Sequence, residues 1–316
     1  MRYLVLTAAL ALVAACGDTT SPTSTSRAVE ETAAHSTDLR RVRESLIAAG
    51  NGVSSAIGED GVAAGLGDAL AANVLLLSPR KPVIRGREEA MAFLSGDPVA
   101  PSELSWEVIF ADVSADGQSG YTWAQGSSTF DLGTGPTSFP SFFLTYWHRT
   151  GSGRWRIAAF VVNRGGPQPL PLPEEFDTPS RREGRTFPAT DEKELRRQLL
   201  STDAAFSAFS VEHGSGPAFE RYAAPKAIAV GETFVFGPEA IGEAFTGGPN
   251  DVVSWVPRFA DAAGSGDLGF TVGDAAFELE GIPPFFTKYL TVWRRMESGR
   301  WRFIADFGNS RPAPTP

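Results

Sequence analysis

Eleven of the twenty residues from Leu144 to Asn163 recur in order, without a gap, from Leu290 to Asn309. The first stretch reads LTYWHRTGSGRWRIAAFVVN and the second LTVWRRMESGRWRFIADFGN. Upstream, SWEVIFAD (Ser105 to Asp112) returns as SWVPRFAD (Ser254 to Asp261). Gly86-Arg87-Glu88 returns more weakly as Gly237-Pro238-Glu239. The offset falls from 151 to 149 to 146 along the chain, so the first copy carries a few extra loop residues. One domain is written twice, and a group essential to both halves should stand in both.

Length fits that reading. Of 316 residues about 300 remain beyond the N-terminal segment, room for two domains of roughly 100–150 residues. A net charge of −9 argues against a nucleic-acid partner, which would need a basic footprint.

The N-terminus has the layout of an export signal. Met1-Arg2 is a short positive start, Tyr3 to Ala11 an apolar run, and Val13-Ala14-Ala15-Cys16 places small residues before a cysteine. The run is too short to span a membrane. It resembles a bacterial lipoprotein signal with a lipobox ending at Cys16, the chain's single cysteine. That resemblance implies lipidation of Cys16, cleavage before it, and a lipid-anchored protein of the cell envelope. Gly17 at the next position implies the periplasmic face of the outer membrane in a Gram-negative cell. With one cysteine there is no internal disulfide.

Residues 17–37, rich in Thr and Ser, are expected to be a disordered tether, because they bury little apolar surface to offset ordering entropy. Residues 165–190 form a proline-rich linker and 311–316 a short tail. Copy 1 is then 38–164 and copy 2 is 191–310.

Within each copy, helical spacing comes first: Asp38 to about Ile57 and Asp191 to about Glu212, with Leu195, Leu199, Phe206 and Phe209 as the apolar stripe of the second. A short helix, the strand-like NVLLLS or KAIAVG, a brief hairpin and a third helix (Arg87 to Leu94; Pro238 to Phe245) follow. Long strands complete the copy: Trp106 to Val113, Ser119 to Asp131, Phe142 to Thr150 and Arg154 to Asn163, with equivalents in copy 2. The last two strands join through TGSGR or ESGR, whose glycine suits a tight turn. The class is α+β: two tandem cone-shaped domains, each a curved, mostly antiparallel sheet wrapped round N-terminal helices.

This element order, the Gly-x-Glu before the third helix and the Ser-Gly-Arg-Trp-Arg hairpin running into Ala-x-x-x-Asn resemble the nuclear transport factor 2-like superfamily. That superfamily includes SnoaL-like and ketosteroid-isomerase-like domains, and the resemblance covers nearly all of each copy. It implies a cone with a pocket at its open end, hosting isomerases, cyclases, dehydratases and non-catalytic modules. Fold alone does not choose among these.

The resemblance also implies that a buried carboxylate would do acid–base work, and it points to Asp306 on the last strand and Asp203 on the first helix of copy 2. Copy 1 has Phe160 in place of Asp306, and Asn51 or Gly52 near the place of Asp203. Simple alternation puts Asp306 on a face with Ile304 and Arg302, near Arg294 and Arg295, so an ion pair is the competing reading. Asp203 competes with an ordinary solvated helix charge. Tyr222 and Asp274 are candidates for the cone mouth, opposite Ala71 and Gln125 of copy 1. Trp123 and Tyr121 are candidate ligand contacts peculiar to copy 1, with core packing as the alternative. Trp106, Trp147 and Trp155 recur as Trp255, Trp293 and Trp301, which suits a core both copies need. His148 and His213 have no partner at ligand spacing, so neither a metal nor another cofactor is expected.

Two functions remain. One is a membrane-tethered, non-catalytic module binding a small molecule or an envelope protein. The other is an isomerase, cyclase or hydratase-type enzyme acting on a small apolar carbonyl compound through Asp306. The duplication further implies a monomer whose two sheets face each other as a pseudo-dimer, with contacts around Trp147 and Trp293.

Overall fold

The computed structural model describes residues 24–131, 133–165, 187, 191–230 and 234–314. Cys16, much of the tether and most of the linker lie outside them.

Copy 1 runs α1 (Ser24–Asp60), α2 (Val62–Gly67), β1 (Leu70–Leu77), β2 (Ile84–Arg85), α3 (Arg87–Gly96), β3 (Glu103–Val113), β4 (Ser119–Asp131), β5 (Pro136–Arg149) and β6 (Trp155–Arg164). Copy 2 repeats the order with α4 (Glu192–His213), α5 (Ser215–Tyr222), β7 (Ala223–Val230), β8 (Phe234–Phe236), α6 (Pro238–Ala244), β9 (Val252–Ala262), β10 (Leu268–Glu278), β11 (Phe285–Arg295) and β12 (Trp301–Ser310). α1 begins at Ser24, inside the stretch expected to be a tether. RAVEETAAH supplies the Ala and Glu that favour helix over coil.

Each copy forms a six-stranded sheet, ordered β2-β1-β6-β5-β4-β3 and β8-β7-β12-β11-β10-β9. All neighbours are antiparallel except β1 with β6 and β7 with β12. The α+β cone expected from the sequence is therefore present twice. The recurring Gly-x-Glu has a backbone reason: Gly86 and Gly237 sit at φ 85 and φ 86, just before α3 and α6. Their N–H groups donate to Val74 O and Ala227 O, tying each helix start to the strand before it.

Strand alternation sorts side chains into three cores. In copy 1, Leu46 and Ile57 of α1 meet Phe143, Trp147 and Phe160 inside the cone. In copy 2, Leu199 and Phe206 of α4 meet Trp255, Trp293 and Phe303. The third core lies between the outer faces of the two sheets, where Leu144, Tyr146 and Val161 of copy 1 pack with Phe270, Leu290 and Phe307 of copy 2. The rings of Tyr146 and Phe270 lie 4.7 Å apart. Trp147 and Trp293, expected at this contact, point the other way into their cones; their neighbours Tyr146 and Val292 make it. Period-two alternation sends adjacent residues to opposite faces.

Polar contacts between the copies come in reciprocal pairs. Asn163 Nδ2 donates to Gly308 O, and Asn309 Nδ2 donates to Val162 O (2.8 Å) and Leu77 O (2.9 Å). Each strand-end asparagine thus binds the carbonyl just before its counterpart. At the hairpin tips, Ser265 N donates to Asp116 (2.9 Å) and Ala115 N to Asp267 (3.2 Å). Asp112 meets Arg294 (2.6 Å), and its equivalent Asp261 meets His148 (3.1 Å), the residue equivalent to Arg294. Apolar burial holds the copies together: each fully buried large side chain contributes about 1.5–3 kcal/mol. The desolvation cost of Arg294 and its carboxylates offsets much of their attraction. The polar pairs set register.

Candidate functional site in copy 2

The two cone interiors differ most where α4 crosses the sheet. Asp203, on α4, is 1% exposed and takes three hydrogen bonds. Trp255 Nε1 donates to Oδ1 and the Tyr289 hydroxyl to Oδ2, each at 2.8 Å. The third donor is the Thr271 hydroxyl, which itself accepts from Trp293 Nε1 at 2.8 Å. Burial pushes the Asp203 carboxyl up to about 6, against these three bonds, which favour the carboxylate. Tyr289 is held well above its usual range by burial and the neighbouring Asp203 charge, so it stays a donor.

Asp306 reaches this interior because β12 carries an irregularity between Phe303 and Ala305. One extra residue there inverts the alternation: Phe303 faces inward, Ala305 outward, and Asp306 inward again. Its carboxylate accepts a hydrogen bond from the Thr291 hydroxyl, directly across the ladder. Burial pushes Asp306 up to about 7, the Thr291 bond opposes the rise, and the Asp203 charge adds to it. Although its neighbours Ala305 and Phe307 are fully buried, Asp306 keeps part of its surface open. Plain alternation with Ile304 and Arg302 therefore fails, and so does the ion pair with Arg294, which turns outward to Asp112 and Asp267.

Copy 1 shows the same positions filled. The shared bond from a tryptophan backbone N–H to a helix serine hydroxyl (Trp106 to Ser54, Trp255 to Ser207) makes Gly50, not Asn51 or Gly52, the counterpart of Asp203. A Cβ on Gly50 would lie 2.7 Å from Val108, so no carboxylate fits there. Phe143 stands for Tyr289 and Phe160 for Asp306, and with Trp106 they form an aromatic cluster at 5.0–6.0 Å. Strand register further equates Leu76 with Ala229, and Val74 with Ala227. Bulk on the copy 1 sheet wall is moved in copy 2 to the helices, where Phe206 and Phe219 replace Val53 and Leu66. At the four positions that hold Val74, Leu76, Phe143 and Phe160 in copy 1, its wall has two alanines, a tyrosine and Asp306.

The other candidates sit elsewhere. Asp274 lies on the outer face, not at the cone mouth, paired with Arg258 (3.3 Å) and Arg311. Trp123 and Tyr121 belong to the core between the copies, Trp123 lying 5.0 Å from Phe234 of copy 2, so they line no pocket in copy 1. Tyr222, partly exposed, stacks on Phe206 at 4.8 Å where α5 meets β7; its counterpart is Ala69, not Ala71. Tyr289 and Gly273 were missed. A Cβ on Gly273 would lie 2.4 Å from the Tyr289 hydroxyl, whereas copy 1 pairs Ala124 with the hydroxyl-free Phe143. Among the described residues no cluster of His, Cys, Asp and Glu could hold a metal ion, and no helix is long and apolar enough to cross a membrane.

No family model and no curated protein matches the chain. Solved structures do resemble it. A ketosteroid isomerase-like protein from Erwinia carotovora atroseptica is 13% identical, covers 37% of this chain and 95% of its own, with a TM-score of 0.31. A nuclear transport factor 2-like protein from Salmonella enterica serovar Typhimurium is 13% identical, covering 39% and 95% with a TM-score of 0.32. One from Pseudomonas putida is 18% identical, covering 40% and 87% with a TM-score of 0.29. Each match spans about one copy.

Proposed function

We propose that this protein is an envelope lipoprotein, anchored through Cys16, whose second copy binds a small, largely apolar molecule carrying one polar group. The first copy is its folding partner, and the chain acts as a monomer because each copy already occupies the sheet face of the other. One observation carries the reading. Asp306 is a partly exposed residue on the inner wall of a largely apolar cone, close to Asp203 and Tyr289, where copy 1 has the fully packed Phe160. Such a wall, mostly apolar with a few convergent polar groups, is how small-molecule sites are built.

The test is a thermal-shift and calorimetric screen of the full chain against small cyclic ketones, enones and phenols. Asp306→Phe, which installs the copy 1 residue, should abolish binding of any hit while leaving the fold intact. Binding that survives Asp306→Phe refutes the site.

A second reading, proton-transfer catalysis, draws on the pairing of Asp306 near 7 with Asp203 near 6 across Tyr289. A carboxyl titrating near neutral pH can take a proton from carbon beside a carbonyl and return it at another carbon, an isomerisation with no other reactant. Deuterium exchange into a bound ketone, lost in Asp306→Asn, would establish it; a ligand recovered without exchange keeps the binding reading alone.

A further inference from the structure

At the junction of α4, α5 and the β11–β12 hairpin, copy 2 gathers three arginines around two partly exposed rings. The Arg302 guanidinium lies 5.8 Å from the centre of the Tyr222 ring, and the Arg221 guanidinium 4.7 Å from that of Phe209. The two rings are 6.3 Å apart. Arg300 and Arg221 both stand close enough to Arg302 to repel its charge, adding to the effect of its partial burial. Among the described residues, none of the three is in an ion pair with a carboxylate. Of the acids on α4 and α5 nearest these arginines, Glu212 meets His213 at 3.6 Å, and Glu220 lies against Gly242 of α6.

Copy 1 lacks this arrangement although it keeps two of the arginines. Arg154 and Arg156 are the equivalents of Arg300 and Arg302. The place of Arg221 is held by Asp68, whose carboxylate meets Arg87 at 3.4 Å and whose carbonyl accepts from Arg156. The ring positions are alanines, Ala69 for Tyr222 and Ala56 for Phe209. Copy 2 has therefore exchanged an acid for a base and two alanines for two aromatics at one spot, in a chain of net charge −9. Among the described residues the three guanidinium groups have no carboxylate partner and repel one another; Arg300 and Arg302 recur in copy 1, and what copy 2 adds is Arg221 with the two rings. Planar donors beside aromatic faces suit a carboxylate attached to a flat ring.

We propose that Phe209, Tyr222, Arg221, Arg300 and Arg302 form a second site, on the rim of copy 2, that binds small aryl carboxylates. It is separate from the cone interior: Arg302 and Asp306 are four residue steps apart on β12, about 13 Å of strand.

Benzoate is the probe, titrated calorimetrically into the full chain in a non-ionic detergent at low salt, with acetate and inorganic phosphate as parallel arms. The proposal expects saturable benzoate binding, at least tenfold tighter than acetate or phosphate. Arg221→Asp and Tyr222→Ala, each installing the copy 1 residue, should weaken it about tenfold or more, and Asp306→Asn should leave it unchanged. Should either variant shift the melting transition, Arg300→Gln, at an exposed position, substitutes and should weaken binding severalfold. Absence of benzoate binding overturns the proposal. So does binding indifferent to these variants, or phosphate binding as tightly as benzoate, which would mean a bare anion patch. Loss in Asp306→Asn would move benzoate to the interior and also refute the rim site.

Discussion

Asp306 gives stability a defined dependence on pH. Its carboxyl rises from an ordinary 3.8 to about 7 in the folded chain, because burial and the Asp203 charge disfavour the carboxylate. The folded state therefore holds the proton more tightly than the unfolded state. The stabilisation is fully present below about pH 4, shrinks as pH rises, and is gone above about pH 7. At about 1.4 kcal/mol per pH unit, that rise sets an upper bound of about 4 kcal/mol. Part of the side chain stays open to water, so about 2–4 kcal/mol is expected. Asp203, raised to about 6, adds a further loss between about pH 4 and 6 that is coupled to the first. Asp306→Asn keeps the size and an acceptor for the Thr291 hydroxyl but cannot ionise. Urea unfolding at pH 4.5 and pH 8 should find the variant only about 1 kcal/mol more stable than wild type at the lower pH. At pH 8 it should be about 2–4 kcal/mol more stable, retaining only the shallower slope owed to Asp203. Parallel slopes in the two proteins would refute the buried, proton-holding Asp306 and with it the electrostatics of the site.

Arg294→Leu should destabilise the chain by about 3–5 kcal/mol in urea unfolding, because it strands Asp112 and Asp267 at the contact between the copies; a loss under 1 kcal/mol would mean that water replaces the guanidinium there. Gly273→Ala should cost about 1–3 kcal/mol in thermal unfolding, since its Cβ meets the Tyr289 hydroxyl at 2.4 Å and Val256 O at 2.5 Å. The double variant with Tyr289→Phe, which restores the copy 1 pair, should recover part of that loss, and strict additivity would refute the coupling. Cys16→Ser should move the protein from the membrane to the soluble fraction on cell fractionation; unchanged partition would show that Cys16 is not the anchor.

Much of the fold was legible because the chain states it twice. The hairpin residues from Ser152 to Trp155 and from Ser298 to Trp301, the paired glycines before α3 and α6, and the repeated tryptophans recur because both copies solve the same backbone and packing problem. Asn163 and Asn309 recur for a different reason, invisible without the two sheets in place: each closes the other copy's strand end. The family resemblance also pointed to Asp203 and Asp306, and both lie inside copy 2. Sequence could not supply the route by which Asp306 enters the cone, because the irregularity after Phe303 leaves no mark in composition or spacing. A one-residue slip there sends every later side chain of the strand to the opposite face.

Comparing the copies with each other recovers most of what single-strand reading lost. Where retention marks the hairpin and the strand-end asparagines, the differences inside copy 2 come as matched sets. Gly273 goes with Tyr289 as Ala124 goes with Phe143, since the hydroxyl needs the space a methyl would take. Asp203 goes with Pro257 as Gly50 goes with Val108, since the valine fills the carboxylate's place. Arg221 goes with Tyr222 and Phe209 as Asp68 goes with Ala69 and Ala56. A single drifting position would need no partner; coordinated exchange at facing positions means that each interior is packed to a purpose. Copy 1 has spent its interior on apolar contact, with Phe143, Phe160 and Trp106 in one cluster. Copy 2 instead keeps a buried carboxylate with three donors and a second carboxyl on its inner wall, an arrangement that costs stability above pH 7. The seam of Leu144, Tyr146, Leu290 and Phe307 packs that half against one whose interior holds no such carboxyls.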